Sequence, residues 1–592
     1  MRWWERRPEV LERELSALAD LGLDFKVDEA ELTAGRIVLR GSAPAGRLGT
    51  VDLAVVYPGS FPHTRPAIYQ TSPGKPLARH QNPFDGNFCL IGRSSDQWDP
   101  KMTAGALVAD LPRLVELVDA GGETLRDAED PQGEPITAYY LGVRNGCVLV
   151  PPMDGDIPAD AAVGTLVVGF VDDSTWLQEA MRGREDPSSG QAVLLEVRDL
   201  DGALLASASE EIAARFDGEK WSGKWVRIPP DDPPPPDPVG FSQHLARLEP
   251  RLGLRIEKHR RKWKFEIHAG LFHEEVRQNQ FDDAWMFFAY AHRGTNHSPN
   301  QMGVPVKAYR FTPDSLGERI PHVAGLRHAT VATIGLGTLG APLVHRLAQA
   351  QTGTLLLADF DIVDAGTAVR WPYGVPAAGV DKATYLAADL SRHHPFVTVS
   401  PVNLRIGAVT APGIGAGESD DMILDRLVDQ ADLIVDATAE DNASRALAET
   451  AMRAGKPQLY VWSVDGYGGV VASIRPGVTG CYHCLSVALS DGGSIQPPPA
   501  PLDAAATRTQ PRGCADPTFA ATVVDLLPLV DQAARVAMSR LTEGGADRYG
   551  HVPGDVYVLA LRAPEGTPLA APEWQAYDLP PTPGCWYCDL AR

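Results

Sequence analysis

The sequence predicts a multidomain chain of mixed class, α+β at its N-terminus and α/β at its C-terminus. Three observations carry this. The first 145 or so residues mix an amphipathic stretch with strand-like runs, as an α+β domain does. From about residue 321 onward, short apolar runs alternate with amphipathic segments, which implies a parallel sheet with helices on both faces. Between them, residues Pro229 to Pro238 (Pro-Pro-Asp-Asp-Pro-Pro-Pro-Pro-Asp-Pro) break the pattern. At roughly 100–200 residues per domain, a chain of 592 residues is expected to hold about three, divided as 1–145, 146–320 and 321–592.

Composition narrows the class. With 44% apolar and 22% charged residues, every domain can bury a core, and global disorder is excluded. Acidic residues outnumber basic ones, 76 to 54, for a formal charge of −22. So acidic a surface repels phosphate backbones, so neither nucleic acid nor an anionic membrane is expected as a main partner. No run of about 18 apolar residues exists to span a membrane. Met1-Arg-Trp-Trp-Glu-Arg-Arg-Pro8 lacks the apolar core of a signal peptide. A cytoplasmic protein is expected, in which seven cysteines read as metal ligands or nucleophiles rather than disulfides.

Taken in order, Pro8 to Leu21 places Val10, Leu11, Leu15, Leu18 and Leu21 on roughly one helical face. Strands are expected at Arg36–Arg40 and Val51–Tyr57, and a closing helix at Ala106–Ala120. In the middle, Val163–Phe170 and Ala192–Val197 read as strands and Pro229 to Pro238 as an extended, polyproline-type linker. His259-Arg-Arg-Lys-Trp-Lys-Phe265 is a basic run, read as an exposed strand face or a docking patch for an acidic partner. The C-terminal part predicts strands at Thr330–Ile334, Thr354–Ala358, Val397–Pro401 and Leu433–Asp436, with helices near Ala341–Gln349, Lys382–Arg392 and Ala443–Ala454.

The strand at Val331 runs into Gly335-Leu-Gly337-Thr-Leu-Gly340, a Gly-x-Gly-x-x-Gly turn that opens a helix. Its glycines allow a tight turn, close approach of a phosphate and close helix–strand packing, and the helix N-terminus adds about half a positive charge. Asp359, ending the next strand, is placed to hold ribose hydroxyls. Alone the loop favours a nicotinamide dehydrogenase, and it does not separate a dinucleotide from ATP. Arg370, Lys382 and Asp441-Asn442 following it suit adenylation better, two cations offsetting phosphate charge and a carboxylate holding magnesium.

With Asp359-Phe-Asp361, Gly379-Val-Asp-Lys382, Asp436-Ala-Thr, Arg445 and Ile474-Arg-Pro-Gly-Val-Thr-Gly-Cys481-Tyr-His-Cys484 also in place, residues 321–592 resemble the adenylation domain of ubiquitin-activating-type enzymes. That superfamily includes the adenylating enzymes of thiamine and molybdopterin synthesis. The resemblance implies a Rossmann-like domain using ATP and magnesium. In it, Gly335, Gly337 and Gly340 cradle phosphate, and Asp359 and Asp361 lie at the nucleotide. Arg370 and Lys382 lie at the triphosphate, Asp441 serves magnesium, and Asn442 belongs to the cofactor-binding set. Two departures are Thr367, where the family has asparagine, and an Ala439-Glu440 insertion ahead of Asp441. The fold of that family usually dimerises, so a homodimer is expected.

Cys481-x-x-Cys484 and Cys585-x-x-Cys588 supply four thiolates for a structural zinc site. Cys514, in the polar Arg512-Gly-Cys-Ala-Asp-Pro517 loop, falls where the family places its thioester-forming cysteine. Cys147 reads as core.

The N-terminal part reads Tyr57-Pro58, Phe61-Pro62 and Pro66, then His80-Gln-Asn82, then Gly86-Asn-Phe-Cys89-Leu and Trp98-Asp-Pro100. Asn82 can donate from its amide to an oxyanion as a thioester is attacked. Together these segments resemble ubiquitin-conjugating enzymes, with Gln81 where that family has proline. The resemblance implies that Cys89 is the acyl-carrying thiol, with His80 and Asn82 beside it. The whole layout resembles the conjugating–activating fusion proteins of bacterial CBASS antiphage operons. It implies that a protein's C-terminal tail is adenylated, passed to Cys514, then to Cys89, and ligated to a target protein or small amine. The tail would belong to a cGAS-like nucleotidyltransferase. Rival readings are the same chemistry on a ubiquitin-like or sulfur-carrier protein, a nicotinamide oxidoreductase, and a catalytically inert scaffold.

Overall fold

The computed structural model describes residues 2–72, 74, 77, 80–90, 98–119, 135–140, 142–143, 146–184, 190–229, 232, 234–250, 260–277, 280–295, 298–408, 418–510, 518–546 and 548–589. Cys514 and His259 lie outside them. Contacts divide the chain into two compact units, Met1–Thr312 and Pro313–Arg592, so the N-terminal and middle segments share one unit. Among the described residues no helix is long and apolar enough to cross a membrane.

The N-terminal segment has a four-stranded antiparallel sheet in the order Lys26–Val27, Ile37–Pro44, Thr50–Tyr57, Ala67–Gln70. Val51, Leu53, Val55 and Tyr57 alternate onto one face and bury there, the period of two that a half-buried strand requires. Helix Pro8–Ala19 covers that core through fully buried Leu18. It stops two residues short of the expected end, leaving Leu21 exposed. The expected closing helix is two, Ala104–Ala109 and Leu111–Asp119, the first capped by the Thr103 hydroxyl on Ala106 N–H. Glu14, fully buried, joins these layers: its carboxylate accepts from Tyr57 Oη at 3.2 Å and from Ala104 N–H at 2.8 Å.

The middle segment forms a mixed ten-stranded sheet that includes the expected strands, Val163–Phe170 and Gly190–Asp199. Two long strands, Arg260–Arg277 and Gln280–Thr295, pair antiparallel. Along the second, Phe287, Ala289 and Ala291 enter one core while Met286, Phe288 and Tyr290 enter another on the opposite face. The proline run is not the free linker that its composition predicts. Pro234 is buried and its carbonyl accepts the Tyr140 hydroxyl at 2.5 Å. Pro238 starts helix Pro238–Leu248, with Asp237 as its cap. Proline keeps its carbonyl as an acceptor and suits the first turn of a helix, so a proline-rich run can pack as well as extend.

The C-terminal unit is an eight-stranded sheet in the order Thr398–Asn403, Thr354–Asp359, Thr330–Ile334, Leu433–Asp436, Gln458–Val464, Gly468–Ile474, Val556–Arg562, Pro568–Tyr577. The first five strands are parallel, and the last three extend the sheet antiparallel. Val331, Leu355, Leu357, Leu433 and Val435 face helices Gly340–Gln349, Lys382–His393 and Val523–Leu541. Ala332, Leu356 and Ile434 face helices Asp420–Gln430 and Asp441–Arg453 on the other side. Helices therefore cover both faces of the parallel half, as the alternation predicts.

Candidate functional site

In the C-terminal unit, Ile334 pairs with both Ala358 and Asp436, so three strand ends stand level where the glycine loop begins. Gly335 has φ +87°, and a Cβ there would lie 2.7 Å from the Ala437 carbonyl carbon. A Cβ on Gly340 would lie 1.9 Å from the Gly335 carbonyl oxygen. Both positions therefore require glycine for packing. Gly337 differs: among the described residues a Cβ there would meet nothing within 4 Å, so its backbone faces open space ahead of helix Gly340–Gln349. An anion can approach the loop there, at the positive end of the helix.

Asp359 is buried, and its two oxygens accept Leu336 N–H at 2.6 Å and Asp361 N–H at 2.9 Å. Each carboxylate oxygen keeps further lone-pair capacity for a hydroxyl. Asp361 in turn pairs with Lys382 Nζ at 2.6 Å, and Lys382 is only 8% exposed. Trp371 Nε1 donates to the Leu336 carbonyl at 2.8 Å, fastening the neighbouring Arg370 to the loop region. The Arg370 and Trp371 N–H groups both bond the Thr367 carbonyl, so the departing residue serves through its backbone. The Arg370 guanidinium, whose pKa burial lowers, donates to the Phe519 carbonyl at 3.1 Å and Thr518 Oγ1 at 3.2 Å. These two residues directly follow the stretch that holds Cys514.

The strand end at Asp436 opens into a cavity of about 310 Å³ lined by Asp436, Glu440, Asp441, Tyr460, Trp462 and Tyr482, among others. Asp436 is 3% exposed; Oδ1 accepts from Thr438, and among the described residues Oδ2 has no hydrogen-bond partner. Burial pushes its carboxyl above the usual carboxylate range. Asp441 lines the same cavity and bonds Arg445 Nε at 2.8 Å and Tyr482 Oη at 3.1 Å. An orphaned buried carboxylate oxygen beside a second carboxylate is a donor set that fits a hard divalent cation such as magnesium. The Ala439-Glu440 insertion is absorbed as a cap: Ala439 takes φ +55°, and Glu440 accepts from Asn442 and Ala443 N–H at the start of helix Asp441–Arg453. Asn442 also donates its side-chain amide to Glu440, at 3.2 Å. Sequence reading placed Asp436 only within a motif; its missing partner is a property of the fold.

All four sulfurs of Cys481, Cys484, Cys585 and Cys588 lie within 4.8 Å of one another. The separations are 3.8 Å for Cys481–Cys484, 3.6 Å for Cys481–Cys585 and 3.5 Å for Cys484–Cys588. Zinc–sulfur bonds of about 2.3 Å in a tetrahedron require edges of about 3.8 Å, so the cluster fits zinc. Thr582 N–H donates to Cys484 Sγ at 3.2 Å, the kind of outer contact that orients a thiolate ligand. Cys147 lies half-buried on strand Gly146–Val150, and burial pushes its thiol pKa up.

In the other unit, His80, Asn82 and Cys89 share one folded-back loop. Cys89 N–H donates to the His80 carbonyl at 2.7 Å, and Asn82 N–H to the Asn87 carbonyl at 2.8 Å. His80 takes left-handed backbone at φ +60°, a conformation that costs a non-glycine residue about 1–2 kcal/mol. Cys89 is half-buried. Gln81, standing where proline is expected, is 4% exposed and replaces ring rigidity with hydrogen bonds. It accepts Leu77 N–H at 2.7 Å and donates to Gln70 Oε1 at 3.0 Å. Asn82 Oδ1 accepts Phe84 N–H at 2.9 Å, so the Nδ2 end is the one left to donate elsewhere.

Comparison with known proteins agrees with both halves. Residues 18–146 match the prokaryotic E2 family B, and residues 319–527 match the ThiF family. The Sinorhizobium fredii protein y4oA is 28% identical over 98% of this chain and 97% of its own length. The sulfur carrier protein ThiS adenylyltransferase of Bacillus subtilis is 28% identical over 28% of this chain and 47% of its own. Among solved structures, E. coli MccB with MccA-N7isoAsn matches 46% of this chain and 72% of its own, at 16% identity and a TM-score of 0.34.

Proposed function

We propose that this chain, an ATP-dependent activating and conjugating enzyme with an E2-like domain ahead of a ThiF adenylyltransferase domain, moves one acyl group along two of its own sulfur atoms. A C-terminal carboxylate oxygen of a small protein or peptide attacks the α-phosphorus of ATP, and pyrophosphate leaves. Cys514 thiolate attacks the acyl-adenylate carbon; a C–S bond forms, the C–O bond breaks and AMP departs. Cys89 thiolate then displaces Cys514 from the carbonyl. An amine finally attacks the Cys89 thioester, the C–S bond breaks with its electron pair on sulfur, and the amine proton passes to solvent.

In this reading the backbone at Gly337 receives phosphate, Lys382 and Arg370 offset its charge, and Asp359 and Asp361 hold the nucleoside side. Asp441 and Asp436 would hold magnesium, which supplies charge neutralisation at the phosphates, with Asn442 closing the adjoining helix start. Zinc on the four-cysteine cluster is structural. Asn82 Nδ2 donates to the oxyanion at Cys89, and His80 holds the Cys89 backbone. One observation supports the reading: an anion-accessible glycine loop with a buried lysine, and a half-buried cysteine on the same folded-back loop as an oriented amide, occur on one polypeptide.

The ThiS-adenylyltransferase relative supports a ubiquitin-like or sulfur-carrier protein as the tail-bearing substrate. The order of the domains, shared with the CBASS fusion proteins that the sequence resembles, supports a cGAS-like nucleotidyltransferase tail, a cytoplasmic antiphage role, and a homodimer through the ThiF domain. Incubation with ATP, magnesium and each class of tail, followed by intact mass measurement, tests both. Cys514→Ala is expected to abolish every thiol-labile adduct. Cys89→Ala is expected to retain the adduct on Cys514 and lose amide formation. Adducts that survive both changes would overturn the assignment.

A further inference from the structure

The Asn82 side chain is oriented by a residue whose ring packs against Tyr140 and a core built mostly from the middle segment. Phe84 N–H is the donor that holds Asn82 Oδ1. The Phe84 ring leaves the loop and meets Tyr140 edge-on, with centroids 4.7 Å apart at 68°. It packs there against the core of Tyr140, Phe241, Phe272, Phe288 and Tyr290. Packing and hydrogen bonds hold that socket: Phe241 stacks on Phe288 at 3.9 Å, Tyr140 Oη donates to the Pro234 carbonyl, and Tyr290 Oη donates to the Pro238 carbonyl at 2.6 Å. The carbonyls of buried Pro234 and half-buried Pro238 thus tie down two rings of the socket that receives Phe84.

We infer that Phe84 is a positioning residue for thioester discharge, and that the middle segment completes the E2-like site through it. The ring, fixed by the socket, fixes its own backbone N–H. That N–H holds the Asn82 carbonyl end, and an amide with its oxygen held presents its NH₂ end to the other side. When an amine attacks the Cys89 thioester, the C–N bond forms, the carbonyl oxygen takes up charge, and the C–S bond then breaks to return thiolate. A donor must already point at that oxygen to lower the barrier. Without the socket, Phe84 N–H and Asn82 move together.

The inference rests on reading Asn82 as the oxyanion donor, and the experiment separates the two. Full-length protein carrying Cys514→Ala is loaded at Cys89 with a synthetic peptide thioester, and discharge to free lysine is followed by intact mass. Asn82→Ala is expected to slow discharge about 10²–10³-fold. Phe84→Ala is expected to slow it about tenfold or more, since a small misplacement of a catalytic donor is costly. Phe84→Leu, which refills the socket, should recover most of the rate. The double change Asn82→Ala/Phe84→Ala should be no slower than Asn82→Ala alone, because one residue acts through the other. Wild-type discharge by Asn82→Ala would overturn the reading of the donor. Wild-type discharge by Phe84→Ala, or a further full-sized loss in the double change, would overturn the role of Phe84. If Phe84→Ala fails to fold, Tyr140→Phe, which loses only the bond to Pro234, carries the test: a severalfold loss sustains the inference and an unchanged rate overturns it.

Discussion

Three glycines within six positions answer to different demands, and substitution separates them. Gly340 has the Gly335 carbonyl 1.9 Å from where a Cβ would stand, whereas Gly337 has nothing within 4 Å among the described residues. Gly340→Ala is therefore expected to cost stability, about 1–3 kcal/mol as for other overpacked sites, and to lower the melting temperature. Gly337→Ala is expected to fold and melt like the parent yet lose ATP–pyrophosphate exchange about 100-fold. A normal exchange rate in a folded Gly337→Ala protein would remove phosphate from that position. The glycine spacing was readable in the sequence because it is local. Asp436 as a candidate ligand was not, since its significance lies in a buried oxygen that has no hydrogen-bond partner among the described residues. Gln81 reads in the sequence only as a missing proline, because the groups it bonds, Leu77 and Gln70, are brought to it by the folded loop.

At the level of elements, legibility followed periodicity. Strands such as Thr330–Ile334 and Leu433–Asp436 show short apolar runs and were expected nearly to the residue. The antiparallel extension of the same sheet was not, although Gly468–Ile474 is buried throughout. Strand Gln280–Thr295 sends residues into cores on both faces, so it lacks the alternation that marks a half-buried strand. The paired Cys-x-x-Cys motifs show the opposite case, a long-range contact written in short-range code. They join helix Tyr482–Ala488 to helix Trp586–Asp589 at the chain's far end. Cys484→Ser or chelation is expected to release about one zinc per chain, counted by atomic emission, and to open the residues after Tyr577 to protease. A loss of only about 3 kcal/mol would lower the melting temperature by about 6–12 °C in a domain of this size. A metal-free parent protein with an unchanged melting temperature would refute a structural zinc.

On the scale of the whole molecule, a net charge of −22 governs how copies meet. Two such chains repel at long range, and salt shortens that range from about 10 Å at 0.1 M to about 3 Å at 1 M. Self-association of the full chain is therefore expected to tighten as salt rises, a trend that sedimentation would read. Weakening instead would mean that ion pairs hold the copies together. One route to assembly is already guarded. Strand Pro568–Tyr577 closes the eight-stranded sheet and pairs on one side only, which elsewhere invites strand-by-strand growth into aggregates. Here Pro568 and Pro572 have no N–H to offer a newcomer, Glu573 sets a charge between them and Tyr577, and the register slips between Ala560 and Arg562. A polymer seeded on this margin would meet gaps in its ladder at once, so the concentrated protein can stay dispersed with a bare sheet edge facing water.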